Sequence, residues 1–182
     1  VRALLLGFAG DHGLTESGVS AYPSAVTVAM VATLLAGRAS ANAFARAVGA
    51  EVKVVDAGVA ADLAPHPLLI DAKVRKGTRN AALGSAMTAE EVESALARGA
   101  AIARRAKDDG FDILALGEMG IGNTTCAAAV GAAILGRPAR ELVGPGTGVA
   151  GAALAAKLAA VEAALARIGA GGGPLAGHAA MQ

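Results

Sequence analysis

Residues Phe111-Asp-Ile-Leu-Ala-Leu-Gly-Glu-Met-Gly-Ile-Gly-Asn-Thr-Thr125 decide how this sequence is read. The run from Phe111 to Leu116 is short and almost wholly apolar, which suits a parallel strand covered on both faces. It passes at once into Gly117-Glu118-Met119-Gly120 and then into an Ala-rich helical stretch from Thr124 to Leu135. Glycines at such a turn let the backbone approach a ligand closely. Asn123, Thr124 and Thr125 offer caps to a helix whose first N–H groups point back at the loop, the makings of an anion site. The helix dipole adds about 0.3–1 kcal/mol toward a phosphate. The spacing of Gly117 and Gly122 mimics a P-loop, but Asn123 stands where that motif needs lysine, so hydrolysis of a nucleoside triphosphate is disfavoured. Glu118 is the odd member. A carboxylate in a phosphate cradle repels the anion unless it faces a proton-bearing part of the substrate. The alternative is an ordinary glycine turn with a solvated glutamate.

The same alternation extends outward in both directions. Val1-Arg-Ala-Leu-Leu-Leu-Gly-Phe8 and Val52-Lys-Val-Val55 read as further strands, closed by Gly10-Asp-His-Gly13 and Asp56-Ala-Gly58. Leu142-Val143 is a candidate fourth strand, running into Gly144-Pro-Gly-Thr-Gly148. Thr88-Ala-Glu-Glu91 is a capping box that opens a helix ending at Gly110. Leu154, Leu158, Val161, Leu165 and Ile168 form one apolar stripe on a last helix. Val26 to Leu35 and Ala41 to Val48 are weaker helical stretches, because alanine blurs their faces. Strands alternating with helices imply an α/β fold, a Rossmann-like parallel sheet flanked by helices. Ligands of such sheets sit beyond the carboxyl ends of the strands, where these glycine turns fall.

The 182 residues suit one domain. A net charge of +1 gives no reason to expect nucleic acid or an acidic membrane, and 2% aromatic residues leave little for base stacking. One cysteine makes neither an internal disulfide nor a zinc cage, and no metal or cofactor is expected. The uncharged stretch from Ser17 to Gly37 reads as too polar for a membrane span, and no secretory leader is visible, so a cytoplasmic location is the expectation. Val1 falls inside a strand, and residues 169–182 read as a Gly/Ala-rich linker or a broken edge. The expectation is thus a single incomplete domain over residues 1–182.

Gly144-Pro-Gly-Thr-Gly-Val-Ala-Gly151 is a second glycine loop leading into a helix. Its Gly146, Gly148 and Gly151 match the G-x-G-x-x-G of dinucleotide sites, although the strand before them is short. Lys157 lies early in that helix, to one side of the apolar stripe, where it can reach the loop. A solvated surface lysine is the simpler reading. His12 is a candidate base, Tyr22 a wall for a flat heterocycle, and Arg75, Lys76, Arg79 and Asn80 an anion-binding group or a solvated one. Cys126 reads as a small packing residue.

Taken in order, Phe8-Ala-Gly-Asp-His-Gly13, Gly18-Val-Ser-Ala-Tyr-Pro23, Val54-Val-Asp-Ala-Gly58, Lys76-Gly-Thr-Arg-Asn80, the Gly117–Thr125 string, Val143-Gly-Pro-Gly-Thr-Gly148 and Lys157 resemble the nicotinate-nucleotide:dimethylbenzimidazole phosphoribosyltransferases. The resemblance spans nearly the whole chain, and Gly-Glu-Met-Gly-Ile-Gly-Asn-Thr-Thr is its most specific string. It implies a pentosyltransferase that moves phosphoribosyl from nicotinate mononucleotide to dimethylbenzimidazole. The products are nicotinate and α-ribazole phosphate, for the cobalamin nucleotide loop. It further implies a homodimer, with a small helical domain beside the sheet domain. Tyr22 and Met30 are then expected near the benzimidazole, Glu118 at the reacting centre, and Met119 and Gly120 against the nucleotide. Gly146, Thr147 and Gly148 are expected along the ribose phosphate, with Lys157 near the phosphate. One departure stands out. The family's principal general base is a glutamate in a Gly/Ser-rich motif near its C-terminus, and no segment here matches that motif, the second half or the N-terminal helices. A non-catalytic nucleotide-binding fragment is therefore the main alternative, and a dinucleotide-binding oxidoreductase a weaker one.

Overall fold

The computed structural model describes residues 1–168; the segment 169–182, read as a linker or broken edge, lies outside the described residues. Four strands form one parallel sheet: β1 (Ala3–Gly10), β2 (Glu51–Gly58), β3 (Leu69–Asp71) and β4 (Ile113–Met119), in the order β3-β2-β1-β4. The helices are α1 (Val26–Leu35), α2 (Ser40–Val48), α3 (Ala89–Asp108), α4 (Asn123–Leu135) and α5 (Gly151–Ile168). Short 3-10 turns occupy Gly13–Ser17 and Ala139–Glu141. The protein is an α/β fold with a parallel sheet flanked by helices, as the alternation of apolar runs and helical stretches predicts.

The chain divides into two compact units. The first holds Val1–Gly10, Ala25–Lys76 and Glu93–Gly120, and so contains the whole sheet. Alternation along β1 gives this unit two cores, because successive side chains of a strand face opposite ways. Leu4, Leu6 and Phe8 pack with Val55, Ala106, Ile102 and Phe111 on the α3 face. Ala9 packs with Val54, Val59, Val31 and Leu34 on the face covered by α1. At the carboxyl end of β2, the buried Asp56 accepts the N–H groups of Gly58 (3.2 Å) and Val59 (2.9 Å) on one oxygen. Its other oxygen lies 3.0 Å from Lys73 Nζ, which also donates to the Ala61 carbonyl. This pair ties the turn after β2 to the segment after β3.

The second unit holds Asp11–Ser24, Gly77–Val92 and the chain from Ile121 onward. Ala128 and Ala129 of α4 pack on Val161, Leu158 and Leu165 of α5, with Ala139, Leu142 and Val143 completing the cluster. The capping box forms as read: Thr88 N–H donates to Glu91, and Glu91 N–H donates to Thr88 Oγ1. Gly110, with a left-handed φ of 84°, ends α3.

The structure corrects the sequence reading in several places. Leu142-Val143 is no strand; it leaves the 3-10 turn that follows Pro138 and packs on α4 and α5. The fourth strand is instead Leu69–Asp71, three residues long. The strand after Phe111 runs on to Met119, so Gly117, Glu118 and Met119 belong to β4. The helix after it is capped by Gly122 at φ 88° with no side-chain cap, and Asn123, Thr124 and Thr125 form its first turn. The apolar stretch Val26–Val48, long enough on composition to cross a membrane, is broken by Gly37 and Arg38 into helices of ten and nine residues. Each is far shorter than the roughly 20 residues that a bilayer needs.

Candidate functional site

In the second unit the Gly144–Gly148 turn, the first turn of α4 and the early part of α5 build one group. Lys157 is 1% exposed and sits in the middle of the buried face of α5, beside Ala160, Val161 and Ala164, not at the surface. Its ammonium donates to Thr124 Oγ1 (2.7 Å) and to the Gly144 carbonyl (2.9 Å). Among the described residues it makes no other hydrogen bond and no ion pair. Burial alone holds its pKa below the ordinary lysine value. A buried cation without a counter-ion is unfavourable in itself, and an incoming anion relieves it.

Gly146 closes over this ammonium. It has a left-handed φ of 54°, and a Cβ there would lie 2.8 Å from both Lys157 Nζ and Thr124 Oγ1. Both the backbone conformation and the space demand glycine. Gly146, Thr147 and Gly148 are exposed, as is Thr124, so the turn and the first turn of α4 offer polar groups directly above a hidden positive charge.

The motifs on either side brace this group. Gly13 donates its N–H to Thr78 Oγ1 (3.2 Å), and Thr78 returns its N–H to the Asp11 carbonyl (3.0 Å). A Cβ on Gly13 would stand 2.4 Å from the Arg79 carbonyl carbon, so the two segments touch backbone to backbone. Asn80 reaches Ser17 Oγ (3.1 Å), Arg79 pairs with Glu91 (2.9 Å), and the cap residue Gly122 lies against Thr15. Arg79 and Asn80 are thus structural ties. Cys126 packs on Leu14, Val19 and Ala160, in the small packing role expected. Tyr22 is half exposed, in the loop before Pro23.

In the first unit, Glu118 and Met119 end β4. Glu118 pairs in register with Phe8, which packs on the α3 face, while Met119 packs with Ala9, Val31 and Val54 on the α1 face. Alternation therefore points these neighbours to opposite sides of the sheet. Glu118 is exposed, Gly120 is buried, and Met30 is half-buried on α1. Of the residues singled out in the sequence, Lys157, Gly146 and the Gly144–Gly148 turn come together in one group, whereas Glu118 and Met119 at the end of β4 face opposite sides of the sheet. Thr124 is the partner that sequence reasoning treated only as a cap. Its position two residues past the left-handed Gly122 is the signal that could have found it.

The dinucleotide reading of Gly146, Gly148 and Gly151 is not supported locally. Such fingerprints follow a strand, whereas these glycines follow a 3-10 turn. Asp56, the acid at the end of β2 where a dinucleotide site would hold its ribose, is buried against Lys73.

A four-stranded parallel sheet flanked by helices defines an α/β protein. Residues 2–179 match the Phosphoribosyltransferase family, and the chain belongs to it. The chain is 51% identical over 174 residues to the nicotinate-nucleotide–dimethylbenzimidazole phosphoribosyltransferase of Thermus thermophilus, covering 96% of this chain and 52% of that protein. It is 52% identical over 171 residues to the enzyme of the same name from Deinococcus radiodurans, covering 91% of this chain and 47% of that one. The crystal structure of CobT from Thermus thermophilus superposes with a TM-score of 0.94 at 50% identity, over all of this chain and 54% of that one. The chain spans about half the length of the relatives it matches.

Proposed function

We propose that this chain supplies the substrate-binding core of a nicotinate-nucleotide:dimethylbenzimidazole phosphoribosyltransferase that acts as a homodimer. The reaction moves the phosphoribosyl group of nicotinate mononucleotide to dimethylbenzimidazole for cobalamin assembly. The observation that carries this reading is the uncompensated Lys157 ammonium beneath the Gly144–Gly148 turn. The names of relatives at about half identity give the substrates.

The chemistry follows from charge. In nicotinate mononucleotide the pyridine nitrogen is already cationic, so nicotinate departs as a neutral pyridine ring with no general acid. One benzimidazole nitrogen forms a bond to the anomeric carbon as the bond to the pyridine nitrogen breaks, through an oxocarbenium-like state. The other benzimidazole nitrogen then gives up its proton. Lys157, Gly146, Thr147 and Gly148 hold the phosphate and ribose, which fixes the anomeric carbon in place. Tyr22 and Met30 bound the benzimidazole, and Met119 and Gly120 lie along the nucleotide. Glu118 orients the incoming heterocycle and stabilises the developing positive charge. In the family that the sequence resembles, that proton goes to a glutamate in a C-terminal Gly/Ser-rich motif, which has no match in residues 1–182. A positioned carboxylate in that role is worth about 10²–10⁴-fold.

Calorimetry with nicotinate mononucleotide and with its riboside tests the binding half. We expect the mononucleotide to bind at least about tenfold more tightly, one hydrogen bond to a charged group. Equal affinity for the two overturns the reading. Adding dimethylbenzimidazole and assaying for α-ribazole phosphate tests turnover. Product supports transfer by this chain, and binding without product restricts the chain to substrate binding.

A further inference from the structure

We infer that Thr124 is a positioning residue of this site: its hydroxyl transmits the charge of the hidden Lys157 to the bound phosphate and selects phosphorylated over unphosphorylated ribosides. The inference rests on the reading of the Gly144–Gly148 turn as the phosphate side, and deepens it.

Lys157 is 1% exposed, so its ammonium has little direct access to a ligand in this arrangement. Thr124, at the second position of α4, is exposed. The hydrogen bond between them has only one possible direction, since an ammonium donates and never accepts. Thr124 Oγ1 is therefore the acceptor of the 2.7 Å contact, and its own proton is turned away from the lysine. That proton has no acceptor among the described residues; the other bond of Thr124 is its backbone N–H to Asn123 Oδ1. Donation from the ammonium polarises the hydroxyl and strengthens it as a donor. The left-handed Gly146 lies over the pair, too close for any Cβ. In the first turn of α4 the N–H groups of Thr125 and Cys126 go to the Gly122 carbonyl and that of Thr124 to Asn123 Oδ1, so the hydroxyl is the group left to donate. The ligand that fits is a phosphomonoester, whose charged oxygens accept strongly from a polarised hydroxyl.

A purely structural threonine makes a different prediction. If Thr124 only braced α5, its loss would weaken all ligands alike and lower stability.

The experiment compares Thr124→Val, which keeps the shape and removes the hydroxyl, with Thr124→Ser, which keeps the hydroxyl. Each is titrated calorimetrically with nicotinate mononucleotide and with nicotinate riboside, after circular dichroism shows the native fold. We expect Thr124→Val to bind the mononucleotide roughly 10- to 100-fold more weakly, the range for a hydrogen bond to a charged group. Riboside binding should be unchanged, and Thr124→Ser should stay within about threefold of the parent, as a retained hydroxyl requires. Parent-like mononucleotide binding by Thr124→Val overturns the inference while leaving the phosphate reading intact. So does a Thr124→Ser variant as weak as Thr124→Val, and so does equal weakening of both ligands. A parent chain that fails to distinguish mononucleotide from riboside overturns the phosphate reading itself, and this inference with it.

Discussion

Lys157 sets function against stability. Its folded pKa is lowered by burial, so the unfolded chain holds this proton more tightly than the folded one. In the window between the lowered folded pKa and the ordinary lysine value, the unfolded state binds more protons, and the contribution of this group to stability rises with pH. Below that window its penalty is complete. Anion binding runs the other way, because it needs the protonated form. We expect the affinity for nicotinate mononucleotide to fall as pH rises through the alkaline range, beginning below where an exposed lysine would titrate. Calorimetry across that range checks this, and Lys157→Met should flatten the profile. The same variant should melt at or above the parent temperature yet lose most phosphate selectivity. Gly146→Ala should lose on both counts. It forces an L residue to φ 54° and a Cβ against Nζ, so it should lower stability by about 1–2 kcal/mol and also weaken phosphate binding. Denaturant melts and the same calorimetry measure both. The glycine turn was legible from its spacing, whereas Lys157 read from spacing alone as a surface lysine and entered the site only through the family resemblance. The burial of Lys157 was not legible, because Ala155, Ala156, Ala159 and Ala160 surround it and alanine does not say which face is inside.

At the scale of elements, the Asp56–Lys73 pair carries the most weight. Their side chains are 4% and 17% exposed, and the pair joins the turn after β2 to the segment that follows β3. Removing one partner leaves a charge with little access to water. Lys73→Met should therefore destabilise the fold by roughly 3 kcal/mol, and Asp56→Asn combined with Lys73→Met should recover part of that loss. Urea unfolding of the parent and both variants decides the matter; a single variant as stable as the parent means that the pair is idle. The elements that could be read from the sequence were those with a long signal. β1 is a near-continuous apolar run, and α3 has its capping box and a terminal glycine. β3 has three residues and no periodicity to detect, and only pairing with Val54, Val55 and Asp56 makes it a strand. Leu142-Val143 looks like a strand for the reason that β3 does not: two apolar β-branched or aliphatic residues suit a pleat, but packing on α4 and α5 claims them first.

For the molecule as a whole, the informative feature is the rim of the sheet. β4 pairs with β1 on one side only, and it carries Ile113 at 52% and Leu116 at 73% exposure. Parallel sheets ordinarily have both faces covered, and their inner strands read as apolar runs, as Phe111 to Leu116 does. The sequence thus announced a buried strand, while the described residues leave this one at an edge. An apolar edge with unpaired backbone groups is a template for another chain. We expect this chain to self-associate through β4, and expect Leu116→Lys to suppress it. A lysine at that exposed position changes folding stability by no more than about 0.5 kcal/mol, so any loss of association reads out the edge and not the fold. Sedimentation velocity over a range of concentrations separates the outcomes. A parent that associates and a Leu116→Lys variant that does not places the contact on β4. Association undiminished by the lysine moves it to another surface, and a parent that stays monomeric at high concentration shows that the β4 edge is not sticky in solution. Because Glu118 lies two residues further along the same face of β4, any contact that survives at this edge also bears on access to the proposed reacting centre.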